Sequence, residues 1–302
     1  MLLTTEMDSI SRVGRSTTLL IALTIVLSPF VPSLFVRSAE AADAETPDIL
    51  DRENLVAWCI VPFDAARRTP AERALMVRQL GIKRVAYDWR EEHVASFEEE
   101  IRQYQTHGLE FFAFWSWHPS LEPLIERYGI RPQIWITSPS PSAETKEQRV
   151  SAAARELLPL VDIARRLELQ LGLYNHGGWG GEPENLIAVC QYLRASHQAE
   201  HVGIVYNFHH GHDHVATFAD VFPAMKPYLL CVNINGMADP KLVNGMENKI
   251  LPVGQGVHEE TMLRTIRQAQ YRGPIGILDH LPEQDALTSL QNNLNGIEKL
   301  RR

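Results

Sequence analysis

Eight short runs rich in β-branched and aromatic residues recur along the chain, each followed by a longer stretch with helical periodicity. The runs are LVAWCIV (55–61), KRVAYDW (83–89), LEFFAFW (109–115), QIWIT (133–137), LQLGLYN (169–175), VGIVYNF (202–208), YLLCVNI (228–234) and PIGILDH (274–280). Between them lie amphipathic stretches such as TPAERALMVRQLG and HEETMLRTIRQAQYRG. Thr69-Pro70 and Ser96 stand at helix starts, and Gly81, Gly108, Gly129 and Gly273 follow helix ends. Parallel strands need a long crossover, which a helix supplies, so this alternation demands a parallel sheet with helices packed on it. Eight repeats in about 250 residues match the count and size of a (β/α)8 TIM barrel. An open doubly wound sheet shares the alternation but carries a GxGxxG fingerprint, and the glycine-rich NHGGWGGEPEN lacks that spacing. The expectation is an α/β chain with a single barrel domain over 45–302.

Residues 1–44 are of another kind. Arg12 and Arg15 precede the apolar run TTLLIALTIVLSPFVPSLFV, and the spacings Ala39-x-Ala41 and Ala42-x-Ala44 follow it. Basic, apolar and small-residue regions in that order predict a signal peptide and an exported protein, periplasmic or extracellular, or membrane-anchored if the signal is not cleaved. Pro29 and Pro32 shorten the helix available to span a bilayer, and no other segment is long and apolar enough. Cys59, Cys190 and Cys231 are an odd set in apolar surroundings, which predicts buried free thiols. A net charge of -8 without basic clusters excludes a nucleic-acid partner and favours a small polar substrate.

In a barrel of this kind function gathers where strands end. Polar residues crowd those places: Asp88 and Arg90, Trp117 and His118, Asn175 and His176, Asn207 with His209 and His210, Asn233 and Asn235, Asp279 and His280. Side chains alternate along a strand, so Tyr174 and His176 share a side with Gly172, Asn207 and His209 with Gly203, and His280 with Gly276. If these rows face inward, His176, His209 and His280 meet near one axis. Of His209 and His210, one is expected to face the site and the other the helix layer; His212 and His214 read as solvated. His176, His209, Asp279 and His280 are candidate ligands for one divalent metal ion, and the same groups suit hydrogen bonds to sugar hydroxyls. Trp115, Trp117 and Trp179 are either core or platforms for a sugar ring. Asp88 and Arg90 are either an ion pair or substrate contacts, and Gln255 either covers the pocket or turns the chain.

The stretches LGLYNHGG, VGIVYNFHHGH, YLLCVNINGM and LPVGQGVHEETMLRTIRQAQYRGPIGILDH resemble the xylose-isomerase-like barrels, the sugar phosphate isomerase and epimerase superfamily, with a likeness in strand order over nearly the whole chain after residue 44. That resemblance implies interconversion of sugars by moving a proton next to a carbonyl or by hydride shift, with one divalent metal held by Glu, Asp, His and Glu of strands five to eight. Those positions fall on Tyr174, Asn207, Asn233 and Leu278 or Asp279, and only the histidine beside the sixth-strand ligand is matched, by His210. Amides offer oxygen without the charge that holds a divalent cation.

The resulting expectation is a sugar isomerase or epimerase-like enzyme acting on a non-phosphorylated carbohydrate, since no basic cluster marks a phosphate site. His176 or His210 is the base, His280 the acid or oxyanion partner, and Asp279 orients it. Asn175, Asn207, Asn233 and Asn235 bind hydroxyls. Two alternatives stay open: a lyase or hydrolase of keto-sugar glycosides, and a non-catalytic carbohydrate-binding barrel.

Overall fold

Each of the eight runs forms a strand: β1 (Leu55–Trp58), β2 (Arg84–Asp88), β3 (Glu110–Trp115), β4 (Gln133–Thr137), β5 (Leu171–Tyr174), β6 (Val202–Asn207), β7 (Leu229–Ile234) and β8 (Ile275–Leu278). All pair in parallel and in chain order, and β8 closes onto β1. The computed structural model describes residues 48–245 and 248–301, so the expected signal peptide lies outside the described residues. Helices follow every strand: α1 (Pro70–Gln79), α2 (Phe97–Thr106), α3 (Glu122–Tyr128), α4 (Lys146–Arg166), α5 (Gly178–Gly181), α6 (Pro183–His197), α7 (Phe218–Met225), α8 (Glu259–Gln268) and α9 (Ala286–Leu300). The fold is a (β/α)8 TIM barrel.

Two apolar layers hold it together, and the period-2 pattern of the strands sorts residues between them. Leu55 and Ala57, Val85 and Tyr87, Leu171 and Leu173, Val232 and Ile234 face the helices. Val56 and Trp58, Ala86, Trp135, Tyr174, Val205, Cys231 and Leu278 face the barrel axis. Each fully buried large side chain contributes about 1.5–3 kcal/mol, so the outer layer dominates stability. The interior is tight: a Cβ at Gly276 would sit 1.8 Å from Asn233 Oδ1, which explains why a glycine lies there.

The local signals act as read. Thr69 and Glu72 form a reciprocal capping box with Pro70 in the first turn of α1. Gly129 closes α3 in the left-handed region, at φ 62°. All three cysteines are free and buried. Among the described residues no helix is long and apolar enough to cross a membrane.

Candidate functional site

At the carboxyl end of the strands lies a cavity of about 80 Å³. That is room for about six waters, whose liquid volume is close to that of one sugar ring. Its floor is aromatic. Trp58 donates from Nε1 to the Tyr174 hydroxyl at 3.0 Å, Trp115 meets Tyr174 edge-on at 4.9 Å, and the Asn207 amide bonds the same hydroxyl. Its walls carry His176 after β5, His209 and His210 after β6, His280 after β8, Asp88 at the end of β2 and Arg90 after it.

The four histidines form a continuous arc. Ring centroids are 4.5 Å apart for His176 and His210, 4.2 Å for His210 and His209, and 5.4 Å for His209 and His280. His280 Nδ1 then lies 3.5 Å from Cys59 Sγ, with Phe63 stacked on its other side at 3.8 Å. Both His209 and His210 line the cavity, which corrects the expectation that only one does. The reason is local: β6 stops at Asn207, whose Oδ1 accepts the His209 backbone N–H at 2.9 Å and turns Phe208–His210 into a 3-10 helix. Strand alternation has already ended when the histidines are reached. His212 is also not solvated but 8% exposed, with Nδ1 3.2 Å from the His209 carbonyl.

Burial sets the charge of this arc. It pushes His209 down to about 2 and His210 to about 3, with neighbouring imidazoles and Lys249 adding to the effect. Burial and then Arg90 push His280 down to about 4. All three rings are therefore neutral at physiological pH. Burial lifts the Asp88 carboxyl to about 7, against the pull of Arg90. The Asp88 carboxyl is approached by the Val61 backbone and the Cys59 thiol without a hydrogen bond within 3.5 Å, and among the described residues no ion pair joins it to Arg90. Arg90 instead stacks on Phe63 at 5.4 Å and donates to the Trp89 carbonyl at 2.7 Å.

Several expected residues lie elsewhere. Asp279 follows Leu278 and so points away from the axis, toward Ser289 of α9; burial and nearby Asp88, Asp64 and Asp285 lift it to about 8. Asn175 spends its side chain on the β6 backbone, accepting from Asn207 N at 2.8 Å and donating to Asn207 O at 3.1 Å. Asn235 donates to the Gly236 carbonyl at 2.8 Å and the Lys249 carbonyl at 3.4 Å, pinning a loop. Asn233 is fully buried below the cavity. Trp117 packs into the helix layer, and His118 lies edge-on to Trp89 at 5.1 Å. Trp179 is covered by Arg149 at 4.7 Å, and the glycines around it serve packing, because a Cβ at Gly180 would meet the Pro139 carbonyl at 2.3 Å. Gln255 is exposed in a turn whose neighbouring amides bond Glu259. Conversely, Trp58 and Cys59 line the cavity without having been expected there, and Tyr174 and Leu278, expected only at ligand positions implied by the resemblance, line it as well. Tyr174 follows the inward row it shares with Gly172 and His176. Cys59 follows no such row, because it leaves β1 at φ 63°, outside any strand pattern.

The metal implied by the resemblance can be tested against these donors. Tyr174, Asn207 and Leu278 line the cavity and Asn233 lies beneath it. Burial raises the Tyr174 phenol, so it stays protonated, and its oxygen is already engaged by Trp58 and Asn207. That set contains no anionic ligand. The other set, His176, His209, Asp279 and His280, fails because Asp279 faces the helices. Among the described residues no three His, Cys, Asp or Glu side chains are arranged to hold a metal ion. The residues do not fit the family's cation.

The chain has the fold of the xylose-isomerase-like TIM barrels. No family model matches it, and no curated protein does. Among solved structures it is similar to 3-keto-D-glucoside 4-epimerase YcjR from E. coli, at 15% identity and TM-score 0.58 over 82% of this chain and 99% of that one. It is similar to the "probable 3-DHS dehydratase AsbF involved in the petrobactin synthesis" from Bacillus anthracis, at 11% identity and TM-score 0.60 over 82% and 99%. A xylose isomerase domain protein from Alicyclobacillus acidocaldarius aligns at 18% identity and TM-score 0.58 over 82% and 97%. Sugar epimerases and a dehydratase thus share this barrel.

Proposed function

We propose that the cavity is an active site that transfers a proton at a carbon next to a sugar carbonyl, making the protein a sugar isomerase or epimerase-like enzyme acting on a non-phosphorylated carbohydrate. The observation that carries this reading is the arc of imidazoles that lines, with Asp88 and Arg90, a cavity the size of one sugar ring. A ring nitrogen of His176 or His210 removes the proton, and the electron pair moves onto the carbonyl oxygen. Arg90 and the protonated form of Asp88 donate hydrogen bonds to that oxygen. His280, neutral and at the far end of the same arc, donates its ring N–H to a substrate oxygen, while a proton returned to the other face of the same carbon gives the epimer and one delivered to the former carbonyl carbon of the enediol gives the isomer. Trp58 and Trp115 offer aromatic faces to the apolar side of the ring.

Elimination passes through the same enolate, so a lyase acting on keto-sugar glycosides is the second reading, favoured by the dehydratase among the neighbours. The test is incubation of the protein in heavy water with a panel of ketoses and keto-glycosides. Deuterium is expected at the carbon beside the carbonyl, with product mass separating isomerase from lyase. Sugar binding without any exchange would make the barrel a non-catalytic carbohydrate binder.

A further inference from the structure

The reaction above takes a proton from carbon at the wall of His176 and His210, and an epimer forms only if a second group returns one to the other face. Cys59 stands on the wall that face meets. It follows β1 and His176 follows β5, and in a closed ring of eight strands those positions are half a turn apart. Both line the central cavity, so a sugar ring held there lies between thiol and imidazole. The thiol belongs to a cluster: its Sγ is 3.5 Å from Nδ1 of His280, the Asp88 carboxyl approaches it, and the Arg90 charge acts on it. His209, 5% exposed on the same cavity, keeps Nδ1 unpartnered, an open buried group of the kind a ligand completes.

The backbone puts the thiol there. Trp58 faces the barrel axis, so strand alternation would send the next side chain to the helices. Cys59 instead turns left-handed, at φ 63°, a conformation unfavourable for a residue with a Cβ, and its side chain joins the cavity wall. Burial raises the thiol well above its ordinary range, with Asp88 and Asp279 adding to the effect, so the sulfur keeps its proton until one is called for.

We propose that Cys59 is the proton donor on the face opposite His176, which makes the reaction an epimerisation by inversion at one carbon. This rests on the proton-transfer reading above and decides within it between epimer and isomer. The base takes the proton from carbon and the freed pair forms the enolate. The enolate carbon then takes the thiol proton: a C–H bond forms, the S–H bond breaks, and its electron pair stays on sulfur, where the Arg90 charge stabilises it. Solvent water accepts the proton of the imidazolium and supplies one to the thiolate, which restores both groups.

Comparing exchange with inversion in heavy water, over the same panel of ketoses, tests this. Wild-type protein should place deuterium in an epimeric product. Cys59→Ala should lower epimer formation by about a hundredfold or more, while deuterium still enters recovered substrate at the same carbon through the base on the His176 wall. Started from the product epimer, whose proton meets the thiol's wall, the variant should give neither exchange nor inversion. Cys59→Gly, free of the left-handed strain, should show the same split. Exchange and inversion lost in equal measure, inversion that survives either variant, or an isomer as the wild-type product would overturn the role of Cys59 and leave the proton-transfer reading standing. Wild-type protein that exchanges with no sugar would remove that reading, and the thiol's role with it.

Discussion

The two ends of the barrel treat the same residue type differently. At the amino end His107, after α2, has Nδ1 2.9 Å from the Gln103 carbonyl, and His201, before β6, has Nε2 3.0 Å from the Val161 carbonyl. The charges there are matched as well: Asp48 with Arg267 at 2.8 Å, Glu53 with Lys83 at 2.7 Å, Glu110 with Arg84 at 3.3 Å. At the carboxyl end His209 Nδ1 and His212 Nε2 have no partner, and the Asp88 carboxyl has no charged one within 3.5 Å. Each such group costs about 1–3 kcal/mol when buried. The histidines and charges named at one end are paired within the protein, and imidazole nitrogens at the other are left open. Groups kept unpaired at a cost to stability belong to function.

Substitutions can break or sharpen this contrast. The largest effect is expected from His210→Ala or His176→Ala, each lowering deuterium exchange into substrate by about 10²–10⁴-fold with unchanged circular dichroism. Loss of activity together with loss of fold would remove the contrast. Next comes Asp88→Asn. Burial raises Asp88 from 3.8 to about 7, so the folded state holds that proton more tightly than the unfolded chain. The stability this gives is present below pH 3.8 and is lost as pH rises through about 7. The asparagine variant should therefore gain on the wild type by on the order of 2–3 kcal/mol between pH 5 and pH 8, read by denaturant unfolding at both values. A constant difference across that range would mean the carboxyl is already solvated. The smallest effect belongs to the amino end, where Asp48→Ala should change stability by about 1 kcal/mol or less and leave exchange untouched.

The fold was legible because its signal is repeated: eight apolar runs, each with a helix after it, leave few topologies, and every run became a strand of the closed barrel. The site was legible only as far as strand geometry reaches. Tyr174, Asn207 and His280 follow their rows inward, and alternation alone sends Asp279 and Asn175 outward. Placing those two in the cavity treated neighbours in sequence as neighbours in space. Beyond the last paired residue the period is lost. The 3-10 turn at Phe208–His210 brings two consecutive histidines to one wall, and the left-handed Cys59 reaches the cavity from β1.

The account turns on imidazoles that stay neutral and open at one end of the barrel until a sugar meets them. Histidine nitrogen resonances followed by NMR, first against pH and then against a saturating ketose, measure this directly. His209, His210 and His280 should keep neutral-ring signals down to pH 5, in keeping with their depressed values of about 2, 3 and 4. The ketose should then move His176, His209, His210 and His280 while leaving His107 and His201 in place. Titration of the three buried rings near pH 6.5, with no ketose moving any ring at the carboxyl end, would contradict it.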